Sequence, residues 1–229
     1  MNFTDNVKRV QERIVKACQR SGRSEKDIEL LAVCKTFSTD VIQDVYDQTG
    51  LRLFGESRAQ DLRVKHKQLP QDIHWHFIGH LQTNKIKFVA PIAELTHSID
   101  SMHLAQSISE YCLKHEIKVE GLLEVNTSGE KSKFGIQPEE TVDRFLEIDG
   151  LSNIELKGLM TIAPFTEDQQ IVRNAFRQLY KKREALAQHV EPSKISVMSM
   201  GMTQDFELAI EEGSTIVRIG TAIFGSRGR

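Results

Sequence analysis

At 229 residues, 39% of them hydrophobic and 27% charged, the chain carries enough apolar material for one large domain or two small ones, and no apolar run approaches the roughly 20 residues needed to cross a bilayer. Thirty Lys and Arg against 32 Asp and Glu leave a net charge of -2, which offers no field to gather nucleic acid or an anionic membrane and points to a small-molecule partner. Cys18, Cys34 and Cys112 are odd in number and form no CxxC pair, and residues 2–9 are polar where a signal peptide would be apolar, so reduced thiols and a cytoplasmic location are expected.

From Val7 the apolar residues recur at Val10, Ile14 and Cys18, the spacing of one helical face, and Ser21-Gly22 ends this opening helix. Leu30-Leu31-Ala32-Val33-Cys34 then reads as a strand buried on both faces, with a single lysine, Lys35, at its tip. Ser38 or Thr39 can cap a helix carrying Val41, Ile42 and Val45 that stops near Gly50, and a second strand follows over 51–56. Residues 58–66 read as a helix and 73–79 as a third strand. Residues 84–90 read as another helix, halted before Pro91, and 95–100 as a short fourth strand. A helix with Leu104, Ile108 and Cys112 on one face leads to a fifth strand over 119–125. Pro138 is placed to open the next helix, whose buried side would be Val142, Phe145 and Leu146. The sixth strand spans 156–162, and a long helix over 167–188 turns Val172, Phe176, Leu179 and Leu186 inward. Residues 195–200 form a seventh strand, 204–212 a short helix ended by Gly213, and 215–219 an eighth strand.

Eight strands alternating with helices, with no hairpin signal and no Pro/Gly/Ser-rich linker, predict an α/β fold: a single closed TIM-like (β/α)8 barrel over residues 1–229, without a further β domain. An open doubly wound sheet is the alternative, but closure removes the unpaired edges. Only eight residues follow Thr221, too few for a full eighth helix, so the opening helix is expected to cover that part of the wall.

In such a barrel the upper strand ends collect Lys35, residues 56–58 and 76–80, Asn126, Met160, residues 199–202 and 218–221. Phosphates are commonly held by the loops after strands seven and eight with a short helix amino-terminus, and Ser199-Met200-Gly201 and Gly220-Thr221 fall there. Arg218 lies inside the apolar run Ile216-Val217-Arg218-Ile219, where a guanidinium must find an acceptor. Either a structural carboxylate or a neutral heteroatom of a bound ring meets that need. An amine, a phosphate cradle and an arginine on one mouth suggest pyridoxal 5'-phosphate (PLP), with Lys35 forming a Schiff base, which requires desolvation or a nearby cation to lower its pKa. An arginine at the ring nitrogen weakens the electron sink and speaks against transamination.

Several motifs carry a resemblance: Ala32-Val33-Cys34-Lys35-Thr36, Phe54-Gly55-Glu56, His74-Trp75-His76-Phe77-Ile78-Gly79, Leu81-Gln82 with Asn84-Lys85, the segment 131–135, Gly158-Leu159-Met160, Ser199-Met200-Gly201-Met202 and the segment 213–225. Over essentially its whole length the chain resembles the PLP homeostasis protein family, which is similar to the barrel of alanine racemase and the other fold-type III PLP proteins. The resemblance implies Lys35 for the Schiff base, Arg218 beside the pyridine nitrogen, Ser199, Gly201, Gly220 and Thr221 around the phosphate, and backbone from Met200. It implies no established catalytic reaction. Where the family usually reads Gly-Glu-Asn and then tyrosine, this chain has Gly55-Glu56-Ser57 and Arg58, so a contact from Ser57 would have shorter reach.

The expected function is therefore PLP binding in vitamin B6 homeostasis, as a monomeric carrier or regulator with apo PLP-dependent enzymes as candidate recipients. Two rivals stand beside it. A racemase-like enzyme acting on amino acids would need a further β domain and a partner subunit to complete its site. A metal-dependent barrel hydrolase is prompted by His74 and His76 on one strand face, but the later strand tips lack further ligands. Lys85, Lys131 and Lys133 are either solvated charges or a secondary anion or cofactor docking site.

Overall fold

The structure, a computed structural model, describes residues 2–130 and 134–225. Helix α1 (Phe3–Ser21) is capped by the Asn2 side chain and stopped by Gly22 in the left-handed conformation. The remaining elements alternate: β1 (Glu29–Val33), α2 (Thr39–Thr49), β2 (Leu53–Glu56), α3 (Ala59–Gln68), β3 (His74–Phe77), α4 (Ile86–Val89), β4 (Leu95–Ile99), α5 (Met102–His115), β5 (Val119–Glu124), α6 (Thr141–Asp149), β6 (Ile154–Met160), α7 (Gln169–Leu186), β7 (Val197–Met202), α8 (Phe206–Glu211), β8 (Ile216–Ile219) and the single turn α9 (Thr221–Phe224). All eight strands pair in parallel and in chain order, and β8 closes onto β1, with Leu31 beside Arg218 and Ala32 beside Ile219. The expected barrel is what forms. The described residues hold no sheet beyond it.

Alternation along the strands separates two cores. Ala32, Phe54, Trp75, Phe77, Leu123, Leu159, Met198 and Val217 point outward and pack under the helices, whereas Leu31, Leu95, Leu122, Met160 and Ile216 form an apolar plug inside the barrel. As expected, α1 occupies the wall where an eighth helix would lie. Its buried stripe of Phe3, Val7, Val10, Ile14, Ala17 and Cys18 is joined by polar ties from Thr4 to the Gln48 carbonyl (3.0 Å), from Asn6 to the Ile223 carbonyl (2.8 Å) and from Arg13 to Glu207 (3.0 Å).

Two local expectations are corrected. Pro138 opens a 3-10 turn (Pro138–Glu140) rather than the helix itself, so α6 starts at Thr141 in a different phase. It buries Thr141, Phe145 and Ile148, leaving Val142 half-buried and Leu146 exposed. The helix expected over 84–90 is a 3-10 turn (Thr83–Lys85) followed by the one-turn α4, and it does stop before Pro91. Among the described residues no helix is long and apolar enough to cross a membrane, and all three cysteines are free and buried.

Candidate functional site

The strands of the barrel carry polar residues one inward step beyond the apolar plug. His97 follows Leu95 by two positions on β4, Glu124 follows Leu122 on β5, Ser199 follows Val197 on β7 and Arg218 follows Ile216 on β8, and the period of two turns each to the same face as its predecessor. Arg218 is buried and donates to the Ser199 carbonyl (2.8 Å), the Ser199 hydroxyl (2.7 Å) and the Thr161 carbonyl (2.9 Å). The Ser199 hydroxyl also meets His97 Nδ1 (2.9 Å), and His97 Nε2 meets His76 Nδ1 (3.0 Å). Neutral groups thus supply the direct acceptors that the sequence demanded for this guanidinium, while Asp205 and Glu124 act on it as nearby charges.

Burial dominates the electrostatics of this layer. It lowers Arg218 to about 10 against the opposing pull of Asp205 and Glu124, so the guanidinium remains a cation at neutral pH. Burial, with a smaller contribution from His74, brings His76 down to about 4, and burial drives His97 well below its ordinary value. Glu124 is raised to about 7 by burial and then by Asp100, with Arg218 opposing.

Lys35 lies just past the end of β1, exposed, and makes no hydrogen bond or ion pair among the described residues. Of desolvation and a nearby cation, the two alternatives expected for this amine, the first is not met. Its loop is nevertheless ordered by neighbours: the Cys34 carbonyl accepts from Phe37 N–H (3.2 Å), Thr36 has φ 71°, and Phe37 stacks on Phe224 of α9 with ring centroids 4.7 Å apart. Gly220 lies directly against β1, its would-be Cβ 3.5 Å from the Val33 carbonyl. Lys35, Gly220 and Thr221 are therefore neighbours at the tips of two adjacent strands, and Thr221, exposed, starts α9.

The β7 residues divide. Ser199 is enclosed in the polar layer, Met200 is buried in the outer core with its carbonyl accepting from the Ser214 hydroxyl (2.7 Å), and Gly201 stands at φ 93° where the chain leaves the barrel. The next amide, Met202 N–H, is taken by Asp205 (2.6 Å), whose carboxyl burial raises. Ser57 lies apart at the end of β2, lining a cavity of about 400 Å³ with Arg58, His80, Gln82 and Lys85. Lys131 and Lys133 lie outside the described residues. His74 bonds Glu94 (2.7 Å) and His80 bonds Asp100 (2.9 Å), and no cluster of three or more His, Cys, Asp or Glu placed to hold a metal occurs among the described residues.

Sequence reasoning placed Lys35, Arg218 and Ser199 at the mouth but missed His97, Glu124 and Thr161, and it took Glu56 for a mouth residue. Glu56 turns outward instead, wholly buried, to pair with Lys65 of α3. The signal that was available is the polar run Thr96-His97-Ser98 inside a strand whose every residue is buried.

Residues 3–228 match the family described as alanine racemase, N-terminal domain. A pyridoxal phosphate homeostasis protein of Aquifex aeolicus is 43% identical over 228 residues, 99% of each chain. Of solved structures, an unknown protein from Bifidobacterium adolescentis has a TM-score of 0.92 and 40% identity, covering 97% of this chain and 94% of the other. PipY of Synechococcus elongatus, solved with PLP bound, has a TM-score of 0.79 and 29% identity, with 94% of this chain and 100% of that one covered.

Proposed function

Since this chain belongs to the pyridoxal phosphate homeostasis protein family, within the wider family of alanine racemase N-terminal domains, we propose that it binds PLP at the barrel mouth with Lys35 as the attachment residue. In this reading it serves PLP homeostasis as a cytoplasmic carrier or regulator, a monomer that hands the cofactor to apo PLP-dependent enzymes. One observation carries it: an uncommitted amine at the tip of β1 stands beside a glycine–threonine turn at the tip of β8, the strand that also holds a buried guanidinium.

The donor set fits the cofactor. PLP supplies, when bound, an electrophilic aldehyde and a pyridine ring able to draw off electrons. Lys35 supplies the nucleophile. Gly220, the Thr221 hydroxyl and the first backbone N–H groups of α9, which have no carbonyl a turn earlier to bond, are suited to the phosphate, with the backbone of Met200 and Gly201 on the β7 side, whereas Ser199 is committed to Arg218 and Ser57 lies apart on the β2 side. Arg218, held by Ser199 and Thr161, remains protonated at neutral pH and would donate to a ring nitrogen without yielding its proton. That leaves the ring a weak electron sink and favours holding over turnover.

Purified protein titrated with PLP should show a visible absorbance band, and borohydride reduction followed by peptide mass spectrometry should locate the adduct on Lys35. Lys35→Ala is expected to lose both. An adduct on another residue, or none, overturns the reading. Restored activity of an apo PLP enzyme supports the carrier role, and turnover of a D- or L-amino acid supports the racemase-like alternative instead.

A further inference from the structure

Lys65 is the only buried lysine among the described residues. Burying an ammonium group is costly, and a buried ion pair is often no more stabilising than an apolar replacement, so its presence calls for another explanation. The Lys65 amine bonds Glu56 Oε2 and donates to the Cys34 carbonyl (3.0 Å). The other Glu56 oxygen accepts from Ser57 N–H (2.6 Å) and Arg58 N–H (3.0 Å). One buried pair therefore ties together the end of β1, the end of β2 and the body of α3.

The carbonyl that Lys65 holds is the last before Lys35. The same oxygen closes a four-residue turn by accepting from Phe37 N–H, with Lys35 and Thr36 as its central residues. Thr36 adopts φ 71°, a left-handed conformation that turns of this kind normally give to glycine and that a β-branched residue adopts at a cost. Such a turn persists only where its surroundings over-determine it. Here the surroundings are Lys65 on one side and the Phe37–Phe224 stack on the other.

We propose that the Lys65–Glu56 pair holds the turn that presents Lys35, making Lys65 and Glu56 positioning residues for PLP attachment. The inference rests on the reading of Lys35 given above. It is tested by titrating PLP into wild type, Lys65→Met/Glu56→Gln, Lys65→Arg and Lys194→Met, each verified as folded by circular dichroism. The double variant removes both charges, while the amide oxygen that Glu56→Gln leaves in place can still accept from the two backbone amides. Lys194→Met breaks a different lysine–carboxylate pair, with Asp149 (2.6 Å), and reports what loss of such a pair does in general.

The double variant should raise the Kd for PLP at least tenfold, Lys65→Arg should recover it to within about threefold of wild type, and Lys194→Met should leave it unchanged. A double variant that binds within twofold of wild type overturns the proposal, as does a Lys194→Met that weakens binding equally. If the double variant does not fold, Glu56→Gln alone decides: a threefold or greater rise in Kd supports the role and an unchanged Kd overturns it. The borohydride adduct separates the two readings. Wild type without an adduct on Lys35 removes the attachment itself, whereas an adduct on Lys35 with unaffected variants removes only the positioning role.

Discussion

Glu124 and His76 show how single buried groups set the pH response of the barrel. Burial and Asp100 raise the Glu124 carboxyl to about 7 from 4.5, so the folded state retains a proton that the unfolded chain releases. Its contribution is fully present below about 4.5 and is lost as pH rises through about 7. His76, brought to about 4 from 6.5, has the opposite sign: its contribution is present above 6.5 and is lost as pH falls through about 4. His97, also lowered by burial, acts in the same direction as His76, so in weakly acidic solution the two histidines oppose Glu124. Urea unfolding of wild type and Glu124→Gln across pH should isolate the carboxyl's contribution: the variant's advantage should grow as pH rises from about 4.5 through about 7 and level off above it at about 3 kcal/mol.

At this scale the sequence revealed what stood out against its neighbours. Arg218 was legible because it interrupts an apolar run, and Lys35 because it ends one. Lys65 was not, since on a helix rich in Arg, Lys and Gln nothing marks one cation as buried. Its burial is decided by Glu56, which belongs to another element and turns away from the mouth that its position suggested.

Among the elements, the β7–α8 connection shows a glycine whose role differs in emphasis from the one its position suggests. Gly201 was read as a residue that lets backbone approach an anion. In the fold it also permits α8 to pack on the strand: a Cβ there would lie 2.6 Å from Ala209 Cβ and 2.8 Å from Phe206 Cα, and φ is 93°. Gly201→Ala should therefore destabilise the protein by roughly 2–4 kcal/mol through strain and overpacking, read as a lower Tm, whether or not PLP is present. The elements themselves were largely legible, because strands buried on both faces and amphipathic helices carry distinct periods. Phases were less so. At α6 an intervening 3-10 turn shifted the start of the helix and with it the buried face, which periodicity over a short helix does not reveal.

For the whole molecule, the count of eight strands decided the architecture, and contacts with α2, α8 and α9 place α1 in the wall. The structure gives that helix a buried stripe and ties to α8 and the turn after it: Arg20 pairs with Glu211 (2.7 Å), and Arg23, just past the helix end, donates to the Ile210 (2.8 Å) and Ser214 (2.6 Å) carbonyls. Val10, only 2% exposed, sits in the stripe. Val10→Asp should cost about 3–5 kcal/mol by burying an unpaired carboxylate, and urea unfolding followed by circular dichroism checks it.

A wall whose first helix rests on its last two also orders events in time. During synthesis the amino-terminal helix can meet α2 early, through Thr4 and Gln48, but its contacts with α8 and α9 form only when the last elements have left the ribosome, so until then β1 keeps an open edge and part of the apolar stripe stays wet. The seam that joins the two ends is thus where a nascent copy is most open to pairing with a neighbour.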